Sequence, residues 1–508
     1  MNATIARDKV KKSVLRVLAF VRWCARVSAP TRGAIRRVVA PVFVEGNPFV
    51  VRPIVLWIFW GVFAVALIAA AIWIRVDVQA PGTVVAINAK RFIPDVRTSI
   101  YVWCALSVAL YVLVFRFQYT KRQARTAQML AVMLCGIVLV ICLGIHPTRS
   151  QDAYWSLLLA RGATAHHMNP YTTTPNMLVR DGWSASVISW RTQTMSHGVL
   201  WTVPLMGITL LTTQLTTALV YTKLFLYIGL IAVYAVLWWI LSHDENRTLI
   251  ESRKLWIFLV LQPMWFQYIA IDMHNDVWVA LSLLVSFWYL KKERYQASSI
   301  ALILGGCVKY VPLFLLPIPI ILALRKEGSW KAMLSKQRAT IELLVACSII
   351  FFTVQFSKYT TLGLYTEIFE RGRKDFLLLG SQIVSFFVGG HETIVRIVGL
   401  LMMFGVLAYY IKQKKYVHAY VVPFVVLLIC GTPWFQSWYA LWILPLAIML
   451  FSPRVMTIAV TALLFMFEII MPSQISVYIV LCCALLAVIY ICAALVRSIR
   501  TPKITKIV

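Results

Sequence analysis

Long apolar runs recur along this chain, separated by polar segments that are mostly either basic or aromatic. They fall at 54–74, 99–115, 127–145, 218–242, 255–271, 274–290, 296–308, 309–324, 340–356, 393–411, 418–432, 437–451, 455–471 and 475–496. A helix needs roughly 17–25 residues to cross about 30 Å of hydrocarbon, and most of these runs meet or approach that length. None shows the period-two alternation of a barrel strand, and lipid tolerates no other backbone form that leaves its polar groups unpaired. The pattern predicts an all-α polytopic membrane protein of about 12–14 transmembrane helices, several of them short or punctuated by proline.

Composition sharpens the class. Of the 508 residues, 61% are hydrophobic and 13% charged, against about 45–50% and about 25% in soluble chains. The surplus apolar surface has to face lipid, and disordered, collagenous and disulfide-scaffold classes are excluded. The charge is lopsided, with Lys+Arg 49 against Asp+Glu 19 and a formal net charge of +30. In a soluble protein that balance would point to nucleic acid. Here its distribution points elsewhere. Eleven Lys/Arg lie between Arg7 and Arg52, opposed only by Asp8 and Glu45. With that arm in the cytoplasm, the inner loops become Arg116–Arg125, 243–254, Lys291–Arg294, Arg325–Arg338, Lys412–Lys415 and Arg454, and every one is basic. Basic loops mark the cytoplasmic side, so both termini are expected there and no nucleic-acid partner is; the outer loop 75–98, with a few Lys/Arg, is the mild exception. Residues 1–53 read as a basic amphipathic arm on the inner leaflet, 54–496 as the transmembrane domain and 497–508 as a basic tail. No apolar core long enough for a cleavable signal precedes residue 54. The ten cysteines fall in runs or in the arm, without metal spacing, so neither disulfides nor a zinc site is expected.

In this topology the outer side holds two long loops, 146–217 and 357–392, and most of the chemically versatile residues. Long connections in a compact protein are functional or disordered, and the first is too rich in aromatics for disorder. It opens HPTRSQDAYWSLLLARGATAHHMNPYTTTP, with Asp152 at the start of a short amphipathic helix that Ser150 could cap. A carboxylate there is a candidate general base, a metal ligand, or a charge favoured by the helix dipole. Arg161, His166, His167, Asn169, Tyr171, Arg180, Asp181, Trp183, Arg191 and His197 follow. The adjacent His166 and His167 diverge on a helix, which argues against a two-histidine metal clamp. Val199–Leu211 is apolar but too close to the run at 218–242 for a separate crossing, and is expected to lie flat at the interface.

Three further features share that side. Asp272-Met273-His274-Asn275-Asp276 occupies the turn between two runs. Ionisable groups at membrane depth are costly and functional by default; the plain alternative is a polar turn whose Asp and Asn cap helices. Lys309 stands alone between GGCV and YVPLFLLP, either snorkelling to water or neutralising a phosphate, while Arg371, Arg373 and Lys374 read more simply as solvated charge. The segment 431–439, with Trp434, Gln436, Trp438 and Tyr439, is an interfacial aromatic belt or a surface for stacking on a sugar. Independent accidents would scatter these features over both faces. Gathered on one, they suit group transfer from a lipid-linked phosphate donor: cations for the head group, a carboxylate to activate a hydroxyl, aromatics to pack carbohydrate or lipid.

The order Asp152, R-G-x(n)-N-P-Y, L-Q-P-x(10)-H-N-D, K-Y-V-P-L-F-L-L-P and P-W-F-Q-S-W-Y-x-L-W-x-L-P resembles the GT-C superfamily, polytopic glycosyltransferases that use polyprenyl-phosphate sugars. The bacterial polyprenol-phosphate-mannose-dependent mannosyltransferases are the members it is most similar to, over residues 146–450. The resemblance implies Asp152 as general base on the acceptor, His274, Asn275 and Asp276 near the donor head group, and Lys309 on the donor phosphate. Arg161 is a further candidate for that phosphate, and Asn169, Tyr171, Arg191, His197, Trp434, Gln436 and Tyr439 are candidates for substrate and acceptor contacts. It implies inverting transfer of mannose or another hexose to a lipid or glycan acceptor, at the outer face of a bacterial cytoplasmic membrane. A divalent cation, Mg or Mn, is the one cofactor it would bring. Many members carry paired acids in the first loop, whereas Asp152 is followed by Ala153 and Tyr154; where relatives often read Tyr-Gly-Pro-Leu, this chain has His197-Gly198-Val199-Leu200. No P-loop or GxGxxG is present, in keeping with a donor that carries no nucleotide.

Two other classes compete. A lipid-linked sugar flippase or secondary transporter would show inverted repeats and ionisable residues near the midplane, and the chain shows neither. A non-catalytic scaffold of envelope assembly would tolerate the combined loss of Asp152, Asp276 and Lys309.

Overall fold

Among the described residues the apolar runs are helical, and several are interrupted where prolines fall. A computed structural model describes residue 49 and residues 52–77, 94–148, 150–187, 190–356, 392–428 and 436–469. Nearly all of the basic arm and the second long loop, the whole tail, the run at 475–496 and Trp434 lie outside the described residues. In chain order the helices are α1 Pro53–Asp77, α2 Pro94–Tyr111 (continued by a π turn, Val112–Arg116), α3 Lys121–Leu143, α4 Asp152–His166, α5 Val199–Leu211 and α6 Leu215–Ser242. Then follow α7 Leu249–Val260, a π segment Trp265–Ile271, α8 Asp276–Lys291, α9 Tyr295–Gly306, α10 Pro317–Glu327, α11 Trp330–Lys336 and α12 Arg338–Phe356. The last are α13 Glu392–Lys412, α14 Tyr416–Val426, α15 Leu444–Ala447 and α16 Pro453–Ile469. The described residues hold no β-strand, only an isolated bridge between Phe49 and Phe117.

This is an all-α membrane protein. Pro53–Ile74, Lys121–Leu143 and Leu215–Ser242 are each long and apolar enough to cross a membrane, with mean hydropathies of 2.6, 2.5 and 2.4. Val62 and Val65 on α1, Met129 and Val140 on α3, and Ile228 and Ile231 on α6 point outward, as lipid-facing positions do. The inward faces pack α8 between α6 and α9, α3 against α1 and α7, and α16 against α2. Capping boxes start two of these helices, Thr120 with Gln123 at α3 and Thr248 with Glu251 at α7.

Several runs differ from their expected form. The run at 255–271 is a bent pair, Leu249–Val260 and Trp265–Ile271, with a 49° break. Pro263 lies in that break; it has no N–H to donate and its ring crowds the preceding turn. The run at 309–324 opens as a 3₁₀ turn, Val311–Leu315, before α10, where Pro312, Pro317 and Pro319 cluster. The run at 437–451 is a 3₁₀ helix, Ser437–Trp442, and the four-residue α15. The described residues contain three helices of full spanning length, or four counting the bent pair, and several shorter apolar ones. Helix α4 is not amphipathic: every residue from Ala153 to Ala160 is buried. Helix α5 does show two faces, burying Trp201, Thr202 and Leu205 while leaving Val203, Leu210 and Leu211 outward.

Loops read as lying on one side are tied to one another. Lys254 Nζ donates to Phe117 O (2.9 Å), Arg247 Nη2 to Met449 O (2.9 Å), and Lys326 pairs with Glu293 (2.5 Å). At the other end, Thr148 binds Asp272 and Lys309 binds Asp276. The bundle therefore has a basic end and an end that gathers carboxylates, histidine and aromatics.

Candidate functional site

The site begins where α4 begins. Ser150 Oγ accepts the Asp152 N–H (3.1 Å), and Asp152 occupies the first helical position, where the helix dipole favours an anion. Its side chain keeps 28% exposure among buried neighbours. Opposite it is the 272–275 turn. Asp272, fully buried, accepts from Thr148 N (2.9 Å), Thr148 Oγ1 (3.2 Å) and Gln267 Nε2 (2.7 Å), which clamps the start of the 146–217 loop to the turn. Met273 takes φ 63°, a left-handed conformation that a long side chain adopts only under constraint. His274 N donates to Tyr268 O (2.9 Å), and Asn275 stands at the N-cap of α8 without making a side-chain cap bond, so the capping explanation of this residue does not apply.

A chain of contacts runs through the site. Lys309 Nζ donates to Asp276 Oδ1 (2.8 Å), and Trp442 Nε1 donates to the same oxygen. His274 Nδ1 lies 3.9 Å from Asp276 Oδ2 and 3.6 Å from Asp152 Oδ2. The imidazole stacks on Trp438 at 4.0 Å and 21°. The ammonium of Lys309 sits over Tyr439 and Trp442, 5.3 and 5.7 Å from the ring centroids. Burial, then Lys309 and His197, push the His274 imidazole well below its usual range, so it is neutral at neutral pH. Between Asp152 and the turn is a narrow cleft, lined by Asp152, Ser156, His197, Trp201, Met273, His274 and Asn275.

Of the residues expected in a site, Asp152, His197, His274, Asn275, Asp276, Lys309 and Tyr439 come together here, and Gln436 is buried beside Ser437, whose Oγ meets Tyr268 OH (2.7 Å). The others hold the loop. Arg161 Nε donates to Asp181 Oδ2 (2.8 Å) with its guanidinium 4.7 Å over Trp183, and His166 Nε2 meets the same oxygen (2.8 Å). Burial works against the charged form of Asp181, yet the Trp183 N–H, His166 and Arg161 together hold its carboxyl below the ordinary carboxylate range. Asn169 Oδ1 accepts Tyr171 N (2.9 Å), Tyr171 OH donates to Thr202 (3.0 Å), and Arg191 Nε donates to Val187 O (3.0 Å). His167 closes α4 at φ 53°. Arg161 is thus committed to Asp181 rather than to the cavity.

Sequence reasoning passed over Ser156 and Trp201, which look like ordinary helix residues until the fold brings them to one wall. It also passed over Lys223, buried in α6 and donating to Cys142 O (2.5 Å) and Ile145 O at the C-terminal end of α3. A lone cation in an apolar run was the available signal, the same one that drew attention to Lys309. Among the described residues no three His, Cys, Asp or Glu side chains converge as a metal ion would need; Asp152 and Asp276 both approach His274 Nδ1. No family model, curated protein or solved structure matches the chain.

Proposed function

We propose that this membrane protein is a glycosyltransferase of the GT-C type, moving mannose or another hexose from a polyprenyl phosphate to a lipid or glycan hydroxyl. The observation that carries the reading is the juxtaposition of Asp152, His274, Asp276 and Lys309, drawn from separate elements into one chain of contacts beside a cavity. Asp152, partly exposed at the cavity, takes the proton of the acceptor hydroxyl as its oxygen attacks the anomeric carbon. The bond from that carbon to the phosphate oxygen breaks, its electron pair leaves with the lipid phosphate, and the new bond closes on the opposite face. Lys309 balances the charge of the departing phosphate, and Asp276 and Trp442 hold it in place. His274, neutral and stacked on Trp438, orients the Asp152 carboxylate. In this reading the site faces the outside of a bacterial-type cytoplasmic membrane with both termini inside, an orientation that the basic loops at the opposite end support.

The test is transfer by purified protein from a panel of polyprenyl-phosphate sugars, read as sugar on a lipid or glycan acceptor. Activity is expected with at least one donor and is lost in Asp152→Asn; full activity in that variant removes Asp152 from the mechanism. The broken helix at Pro263 favours a second reading, since transporters use discontinuous helices beside their binding sites. Sugar uptake into proteoliposomes without any transfer product would select it.

A further inference from the structure

At the end of the bundle opposite Asp152, several segments meet in a corner that gathers cations. An isolated bridge joins Phe49 to Phe117, through Phe49 N to Arg116 O (2.6 Å) and Gln118 N to Phe49 O (3.1 Å). The buried Arg116 lays its guanidinium 5.1 Å over the Phe49 ring. From α7, Lys254 Nζ donates to Phe117 O (2.9 Å) and sits 4.9 Å from the centroid of Tyr119. Its neighbour Arg253 donates to Lys121 O (3.4 Å) and to Gln128 Oε1 (3.2 Å). Lys121, Arg122 and Arg125 stand exposed on the first turns of α3.

Four cations elsewhere at this end have a carboxylate: Arg247 pairs with Asp244, Lys326 with Glu293, Lys336 with Glu327 and Arg338 with Glu342. Among the described residues, Lys121, Arg122, Arg125, Arg253 and Lys254 form no ion pair. The acid beside them on α7, Glu251, is closed on Thr248 in its capping box. The basic arm, which joins the corner at Phe49, holds only Asp8 and Glu45 against eleven Lys/Arg and so cannot supply the missing negative charge. Clustered cations repel one another, and an anion brought from outside the chain relieves that repulsion. The surface below sets what kind of anion. Phe59 packs on Phe117, 5.3 Å between centroids, yet is 50% exposed, and Ile54 and Ile58 on α1 also point outward. Helices α1 and α3 are full-length spans that start at this corner, so these side chains face the first layer of hydrocarbon beneath the cations. Cations between spans, above an apolar track, suit both parts of an anionic phospholipid, its phosphate and its acyl chains. A soluble phosphate would use only the first part.

We propose that this corner, from Lys121, Arg125, Arg253 and Lys254 down to Phe59, binds an anionic phospholipid, headgroup on the cations and acyl chains along α1. In the orientation proposed above it lies in the inner leaflet, and it stands whether or not Asp152 carries out any transfer. Native mass spectrometry of the full chain, released from detergent holding equal phosphatidylglycerol and phosphatidylcholine, tests it. The native chain retains phosphatidylglycerol in preference. Lys121→Gln and Arg125→Gln, both at exposed positions where folding is little affected, each weaken that retention about fivefold, the scale of one basic residue at an anionic surface. Lys412→Gln, which removes an exposed cation at the end of α13, leaves it unchanged. Equal retention of the two lipids overturns the site. So does full retention in the Lys121→Gln/Arg125→Gln double variant, or a loss in Lys412→Gln as large as in the corner variants, which would mean that only overall charge matters. Glycerol 3-phosphate at the same concentration leaves the bound phosphatidylglycerol in place; displacement of the lipid by it would show a site for phosphate alone and overturn the lipid assignment.

Discussion

Helix α4 carries a carboxylate cluster at each of its ends, and the two are built from the same residue types to opposite effect. At its C-terminal end, Asp181 has both oxygens engaged, Oδ1 by the Trp183 N–H and Oδ2 by Arg161 and His166. At its N-terminal end, Asp152, His274, Asp276 and Lys309 are arranged just as closely, yet His274 Nε2 and Asp276 Oδ2 have no hydrogen-bond partner among the described residues. Acid, imidazole and cation in proximity do not make a site. Unused hydrogen-bonding capacity beside a cavity does, because a structural network gains stability only by closing on itself.

The sharpest way to break this contrast is to neutralise each acid in turn. Asp152→Asn is expected to lower kcat by about 10²–10⁴-fold, the usual contribution of a general base, with the melting temperature little changed. Asp181→Asn should lower the melting temperature, with transfer falling only as far as the folded fraction does; an equal loss of kcat in the two folded variants would erase the distinction. Next in size is Asp276→Asn, which strips Lys309 of its counter-charge. Removing one partner of a buried pair costs about 3–5 kcal/mol; Lys309 keeps 14% exposure, so chemical denaturation in detergent should show a value toward the lower end of that range. The smallest effect concerns pH. Because the folded state holds the Asp181 carboxyl below its ordinary range, that cluster stabilises the protein above the unfolded carboxylate value and loses its contribution as pH falls through the depressed one. Asp181→Asn should therefore flatten the acid limb of a melting-temperature profile; an unaltered limb would mean that another group controls it.

The fold was legible wherever apolarity alone decides structure. The runs at 127–145 and 218–242 correspond to α3 and α6 within a few residues, their upstream starts displaced by a capping box at Thr120 and by three helical residues before Ala218. It was illegible where proline bends or divides a run, since Pro263, Pro312 and Pro445 lie in segments whose hydropathy still reads as a crossing. In the site, charged residues announced themselves: Asp152, His274, Asp276 and Lys309 stand out in apolar surroundings. Which of the loop cations joins the site could not be read, because Arg161 and Lys309 each pair with a carboxylate and differ in whether that partner belongs to a closed network. Ser156 and Trp201 carry no local signal at all; they reach the site only when α4 and α5 pack together, where Ser156 Oγ and Trp201 Nε1 find no hydrogen-bond partner among the described residues.

Gly198 is the hinge on which that packing hangs. Its N–H donates to Val308 O and Leu200 N to Cys307 O, so the start of α5 is laced to the two residues that precede Lys309. A β-carbon at position 198 would fall 2.0 Å from Cys307 O and 2.5 Å from its carbonyl carbon, both rigid backbone. The smallest residue is thus a close-contact point between the Trp201 wall and the Lys309 turn, and Gly198→Ala must spread them. In a host that depends on this protein, second-site revertants of that allele should cluster along the α5 and 307–309 seam, giving a genetic map of the site's two halves before any substrate is in hand.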